Sequence, residues 1–250
     1  MKSLEKLILK YRTNEMMRLM FHIEDLRKYL IHSMKASNLF LEESDERFFN
    51  DSDKVMRQVW KRVAADGLLT KSEIDDLKKI IDKRNTIAHE IHSFTRDLKL
   101  EFKDYLKDRH FKSKYDYMAL ERLLTYKNKI QSQWKDIEVL SLRSIHFEFA
   151  DNTYKNENNK LSKTIDKLYV QREQLINRVT QELNQVKFDE YTELARNESN
   201  FLANGNLSPQ GSKVCRDLIL QGLSTYAVSI LMDISLSKVN YQKRKIEKRT

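Results

Sequence analysis

Apolar residues recur at helical spacing through most of the chain. From Ser3 to about Phe49, Leu4, Leu7, Ile8, Tyr11, Met16, Leu19, Met20, Ile23, Leu26, Leu30 and Ile31 supply the apolar faces of one or two helices. An acidic stretch, Glu42 to Asp53, separates these from a helix marked by Val55, Val59, Trp60 and Val63. Gly67 ends that helix, being free to take positive φ. Thr70 and Glu73 then form a T-x-x-E capping box, so the next helix starts at about Lys71, and its pattern continues to Leu98. Past the basic, aromatic region from Lys99 to Tyr117, helical spacing resumes at Leu120, Leu123, Leu124, Ile130, Trp134, Ile137 and Leu140.

Asp151 to Lys160 (DNTYKNENNK) is polar and Asn-rich and reads as a loop. From Leu161 an amphipathic pattern runs through Ile165, Leu168, Leu175, Ile176, Val179 and Leu183, fitting a helical hairpin or a short coiled coil. Glu198 to Ser212 contains two Gly and the only Pro and marks a boundary. The pattern therefore predicts an all-α protein: a helical bundle over 1–150, a helical connector or coiled-coil arm over 151–206, and a terminal helical module over 207–250.

In the last module Ser208 and Pro209 read as an N-cap followed by Pro at the first helical position. That helix ends near Gly222; short helix Thr225 to Met232, a turn through Asp233-Ile234-Ser235 and a final helix Leu236 to Lys248 follow. Val228 to Val239 (VSILMDISLSKV) resembles the helix-turn-helix pattern V-A-x-x-L-G-I-S-x-S-T-V of bacterial DNA-binding proteins. The small Ser229 lets two helices approach, and Met232, Ile234 and Val239 fill the angle between them. Asp233 stands at the left-handed turn position where Gly is usual. The resemblance implies that Ser237, Lys238, Asn240 and Tyr241 face base edges, with Lys243, Arg244, Lys245, Lys248 and Arg249 nearer phosphates. A small three-helix unit for dimerisation or docking is the alternative.

Charge agrees with a nucleic-acid partner. Net charge is +9, and 207–250 holds eight Lys/Arg against three Asp/Glu, so +5 of the excess lies in the last fifth of the chain. The single Cys excludes an internal disulfide framework, and the N-terminus lacks a signal-peptide core. A cytoplasmic protein with no membrane partner is the expectation.

Leu77, Ile80, Ile81, Ile87, Ala88, Ile91 and Leu98 fall within roughly 60° of one line on the 71–98 helix. That line runs through Arg84, a guanidinium in an apolar stripe. Asn85, His89, His92 and Arg96 form a second, polar stripe. Arg84-Asn85-Thr86-Ile87-Ala88-His89 fits R-x4-H and resembles the signature of the HEPN superfamily, all-helical domains of which many are metal-independent ribonucleases of toxin, defence and RNA-processing systems. Arg84 and His89 are about 140° apart on an ideal helix. The resemblance implies a homodimer in which two such motifs meet.

In such a site His89 acts as general base on the RNA 2′-hydroxyl or as acid to the leaving oxygen. Arg84 holds the scissile phosphate, and Asn85 orients His89. No cofactor is expected. His89 and His92 are three apart, so H-E-x-x-H is absent, and no metal site is expected. Partners are then nucleic acid (RNA substrate, DNA, or both), a second copy of the chain and, for a toxin-like enzyme, a protein inhibitor. Two alternatives stay open: Arg84 in a buried structural pair, and a non-catalytic DNA-binding regulator whose bundle dimerises or senses.

Overall fold

The computed structural model describes residues 2–39, 52–89, 95, 98, 115–134, 142–185 and 188–248, of which 2, 35–39, 52–54, 84–89, 142–145 and 188–190 are described by their backbone alone. The described chain is all-α. Its helices are α1 (Lys2–Leu39), α2 (Ser52–Ala65), α3 (Lys71–His89), α4 (Ala119–Gln133), α5 (Leu142–Gln185), α6 (Phe188–Ala195), α7 (Pro209–Leu220), α8 (Thr225–Leu231) and α9 (Leu236–Glu247). A 3₁₀ turn, Glu198–Asn200, and one isolated antiparallel bridge, Phe201 to Leu207, are the exceptions among the described residues. No helix there is long and apolar enough to cross a membrane.

The chain divides into two compact units, residues 1–100 with 110–165, and residues 101–109 with 166–250. In the first, α1 presents Leu19, Ile23, Leu26 and Leu30 to Val55, Val59 and Val63 of α2, Leu77 and Ile80 of α3, and Leu123 and Ile130 of α4. These are the positions whose spacing marks a buried face, and fully burying each such side chain contributes about 1.5–3 kcal/mol.

Helix ends follow their sequence signals. Thr70 N–H donates to Glu73 Oε2 at 2.9 Å and Glu73 N–H to Thr70 Oγ1 at 3.3 Å, completing the capping box at the start of α3. After α2, Gly67 takes φ +66°, with Gly67 N–H on Ala64 O at 3.2 Å and Leu68 N–H on Val63 O at 3.1 Å. That is the Schellman arrangement, which needs a left-handed residue.

Two expectations are corrected. Thr95 lies in a turn closed by Leu98 N–H on Thr95 O at 2.9 Å, so the 71–98 pattern is not one helix to its end. Asp151 to Lys160 is helical, inside the 44-residue α5. Within that helix its polar residues find partners on α1. Arg18 Nε and Nη2 donate to Asp151 at 2.7 and 3.1 Å, Lys10 Nζ to Glu157 at 2.6 Å, and Asn158 Nδ2 to Tyr11 O at 3.2 Å.

Around Arg18 and Asp151 this polar seam is mostly buried, and burial competes there with neighbouring charges over each group's ionisation. Burial acts to raise the Asp151 pKa, but Arg18 and His22 outweigh it and hold the carboxyl below its ordinary value. His22 is itself buried with Nε2 3.1 Å from Asp151 Oδ1, off the line of a hydrogen bond, and desolvation lowers its pKa despite the carboxylate. Glu15 shows the opposite sign: burial pushes its carboxyl up to about 7, against hydrogen bonds from Tyr115 and Tyr11 and the pull of Arg18 and Arg12.

Candidate nucleic-acid interface

The second unit builds a compact core from Ala195, Cys215, Leu218, Val228, Leu231, Met232 and Val239. Several helix ends of this core are set by single residues. Ser208 caps α7, accepting Gly211 N–H at 3.0 Å with Pro209 at the first helical position. Ser224 caps α8, accepting Ala227 N–H at 3.2 Å.

Two more Schellman ends follow. At Gly222 (φ +93°), Gly222 N–H meets Ile219 O at 3.0 Å and Leu223 N–H meets Leu218 O at 3.3 Å. Asp233 (φ +48°) repeats the arrangement after α8, with Asp233 N–H on Ile230 O at 3.2 Å and Ile234 N–H on Ser229 O at 3.1 Å. The same turn that Gly makes twice is thus made once by Asp. Among the described residues Asp233 is the one non-glycine at positive φ. The Ser229 hydroxyl closes the turn by donating to Ile234 O at 2.6 Å, and Arg196 Nε donates to Leu231 O at 3.1 Å.

These contacts fix α9 against α8. Val239 is fully buried, and Gln242 is buried between Ser212 and Arg216, donating to Ser212 Oγ at 3.2 Å and accepting from Arg216 Nη1 at 3.0 Å. With that face inward, Ser237, Tyr241, Arg244 and Lys248, spaced four, three and four, form one outward stripe, and all four are exposed. Tyr241 is 57% exposed, high for an aromatic ring, and Lys245 Nζ lies 4.7 Å from its ring centroid.

The residues expected at a nucleic-acid interface therefore sort into three groups, Arg249 lying outside the described residues. Ser237, Tyr241, Arg244 and Lys248 are outward, with Asn240 half-buried beside them. Lys243 lies on one flank and pairs with Glu247 at 3.9 Å. Lys238 and Lys245 lie on the other flank, where Lys238 Nζ donates to Gly205 O at 2.8 Å. That bond ties α9 to the turn at 202–207, and between turn and helix lies a cleft of about 380 Å³.

The sequence marks this turn only as a boundary, but it is closely built. Asn200 is buried, donating from Nδ2 to Leu194 O at 2.8 Å and Ala195 O at 3.2 Å, which caps the end of α6. Leu202 N–H bonds Asn206 O at 2.8 Å, and Gly205 makes the bend at φ +73°. Gly211 sits so close that a β-carbon there would stand 2.0 Å from Asn200 O. A signal for this contact existed: Gly inside a helix costs roughly 1 kcal/mol against Ala, so it marks a close approach.

Arg84, Asn85 and His89 lie in the last turns of α3, and their side chains lie outside the described residues. His92 and Arg96 also lie outside them. Earlier on the same helix, Lys79 and Lys83 line a cavity of about 260 Å³ with Asp76, Asp116, Tyr115 and Arg122. Arg122 engages both acids there, at 2.8 Å to Asp76 and 2.9 Å to Asp116.

Comparison with protein-family models, with curated proteins and with solved structures gives no match.

Proposed function

We propose that the second unit binds duplex DNA, with α9 entering the major groove. The observation that carries this reading is the pairing of a rigid turn with a charged outward face. Asp233, Ser229 and Arg196 hold the α8–α9 angle, while Tyr241, Arg244 and Lys248 stand exposed on the side opposite buried Val239. Neutralising phosphates with Lys and Arg supplies most non-specific affinity, and it makes binding steeply salt-dependent. The resemblance of 228–239 to the bacterial helix-turn-helix pattern points the same way. The test is anisotropy of the full-length protein with a labelled random duplex. Binding that weakens with salt and is lost on Arg244→Ala with Lys248→Ala supports it; no binding at low salt abandons it.

A second reading concerns the first unit: a HEPN-type, metal-independent endoribonuclease of toxin or defence type, acting as a homodimer. It is supported by R-x4-H on the last turns of α3 and by two lysines, Lys79 and Lys83, which line a cavity on the same helix. His89 would exchange the proton of the 2′-hydroxyl or the leaving oxygen, and Arg84 would stabilise the charge developing on the phosphate. Incubation with varied RNAs in EDTA, beside Arg84→Ala and His89→Ala, decides it. Cleavage by the wild type alone, leaving 2′,3′-cyclic phosphate ends, supports the nuclease. No cleavage leaves a DNA-binding regulator whose bundle serves dimerisation or sensing.

A further inference from the structure

The cleft beside α9 has the chemistry of an anion site. No lining residue is acidic, and Lys238 and Lys245 both contribute to it. Two uncharged donors join them. Ser212 Oγ already accepts the Gln242 amide, so its own proton remains to donate. The Asn206 side-chain amide makes no hydrogen bond to any described residue. The opposite flank of α9 differs: there Glu247 partly neutralises Lys243. The field around α9 is therefore lopsided, attractive to phosphate on the side of the turn.

We propose that this cleft holds one phosphodiester strand of the duplex, so that α9 and the 202–207 turn straddle it. The proposal rests on the reading of α9 as the major-groove helix. A helix lying in that groove has a sugar-phosphate strand along its flank, because the strand is the groove's rim. With Ser237, Tyr241 and Arg244 directed at the base pairs, the rim falls beside Lys245, where the cleft opens. Its volume of about 380 Å³ lies low in the range of single-ligand pockets, roughly 300–1,000 Å³, which is room for one nucleotide unit at a time. Lys238, bonded to Gly205 O, fixes the spacing between the two walls. Asn206 and Ser212 become phosphate contacts that position the duplex without reading it.

Charge at position 206 tests this from both directions. Full-length protein, a random duplex of about 30 base pairs and a salt titration are the ingredients. Asn206→Asp weakens binding about fivefold or more, and Asn206→Lys tightens it while steepening the salt slope by about one. Lys245→Ala lowers that slope by about one. If both substitutions at 206 stay within twofold of wild type while Arg244→Ala weakens binding, the straddle is overturned and the α9 reading stands. If both weaken binding equally, Asn206 is a fold position and the straddle is again overturned. If the wild type itself does not bind, both readings fall.

Discussion

The Ser229 hydroxyl donates to the Ile234 carbonyl at 2.6 Å, across the turn that joins α8 to α9. A small side chain is needed here for the helices to approach, and Ala would satisfy that need alone. Ser adds a partner for a carbonyl at a nearly buried residue, and losing such a bond costs about 1 kcal/mol. Ser229→Ala is therefore expected to lower stability by about that amount in chemical denaturation, with the denaturant slope unchanged. A neutral result would mean that water replaces the bond.

Asp233 occupies a left-handed conformation that L residues adopt at a cost of about 1–2 kcal/mol, less for Asp than for most. Asp233→Gly should raise the melting temperature modestly. Asp233→Val, β-branched at φ +48°, should lower stability by about 2 kcal/mol or more. Equal melting of the two variants would contradict the strain argument.

Removing Asp151 leaves Arg18 half of a pair that is largely withdrawn from water. Asp151→Asn is expected to cost about 3 kcal/mol, the usual penalty for an orphaned buried charge. In the wild type the Asp151 carboxyl sits below its ordinary value, so its contribution is complete above pH 4 or so and fades as acid protonates it. Denaturation of wild type and variant from about pH 3 to 7 should show the two curves converging at the acid end.

Glu15 contributes with the opposite sign. Its folded value of about 7 exceeds the ordinary 4.5, so between these the folded state keeps a proton that the unfolded chain releases. Stability from this group is present below about pH 4.5 and is lost as pH rises through about 7. Glu15→Gln keeps the neutral form at every pH. Relative to wild type it should gain up to about 3 kcal/mol between pH 5 and 8. His22 works against this: its lowered pKa means stability that is full above 6.5 and falls below it, so His22→Gln should flatten the other limb. A pH-independent gap between wild type and Glu15→Gln would refute the assignment.

Local rules were legible where one residue decides the geometry. Thr70 with Glu73, Ser208 with Pro209, Gly67 and Asp233 all act where their sequence context places them. Tertiary partners were not legible. Asp151 to Lys160 is composed like a loop, yet it continues a helix whose partners, Lys10, Tyr11 and Arg18 of α1, lie more than 130 residues away. The 202–207 turn escaped for the same reason: Lys238 bonds a backbone carbonyl, and no side-chain pattern announces that. Arg84 and His89 are legible as a motif and as positions on α3, while what their side chains meet lies outside the described residues.

Gly211 touches no predicted ligand, yet the turn facing α9 stands on it. With Asn200 O only 2.0 Å from where a methyl would project, any side chain there pushes 200–208 off α7 and takes Asn206 with it. If the second unit binds DNA as proposed, a genetic screen for loss of DNA retention should recover hits at this interior codon as readily as at the surface lysines. Those alleles would carry full surface charge and still fail, for want of a methyl group's worth of room.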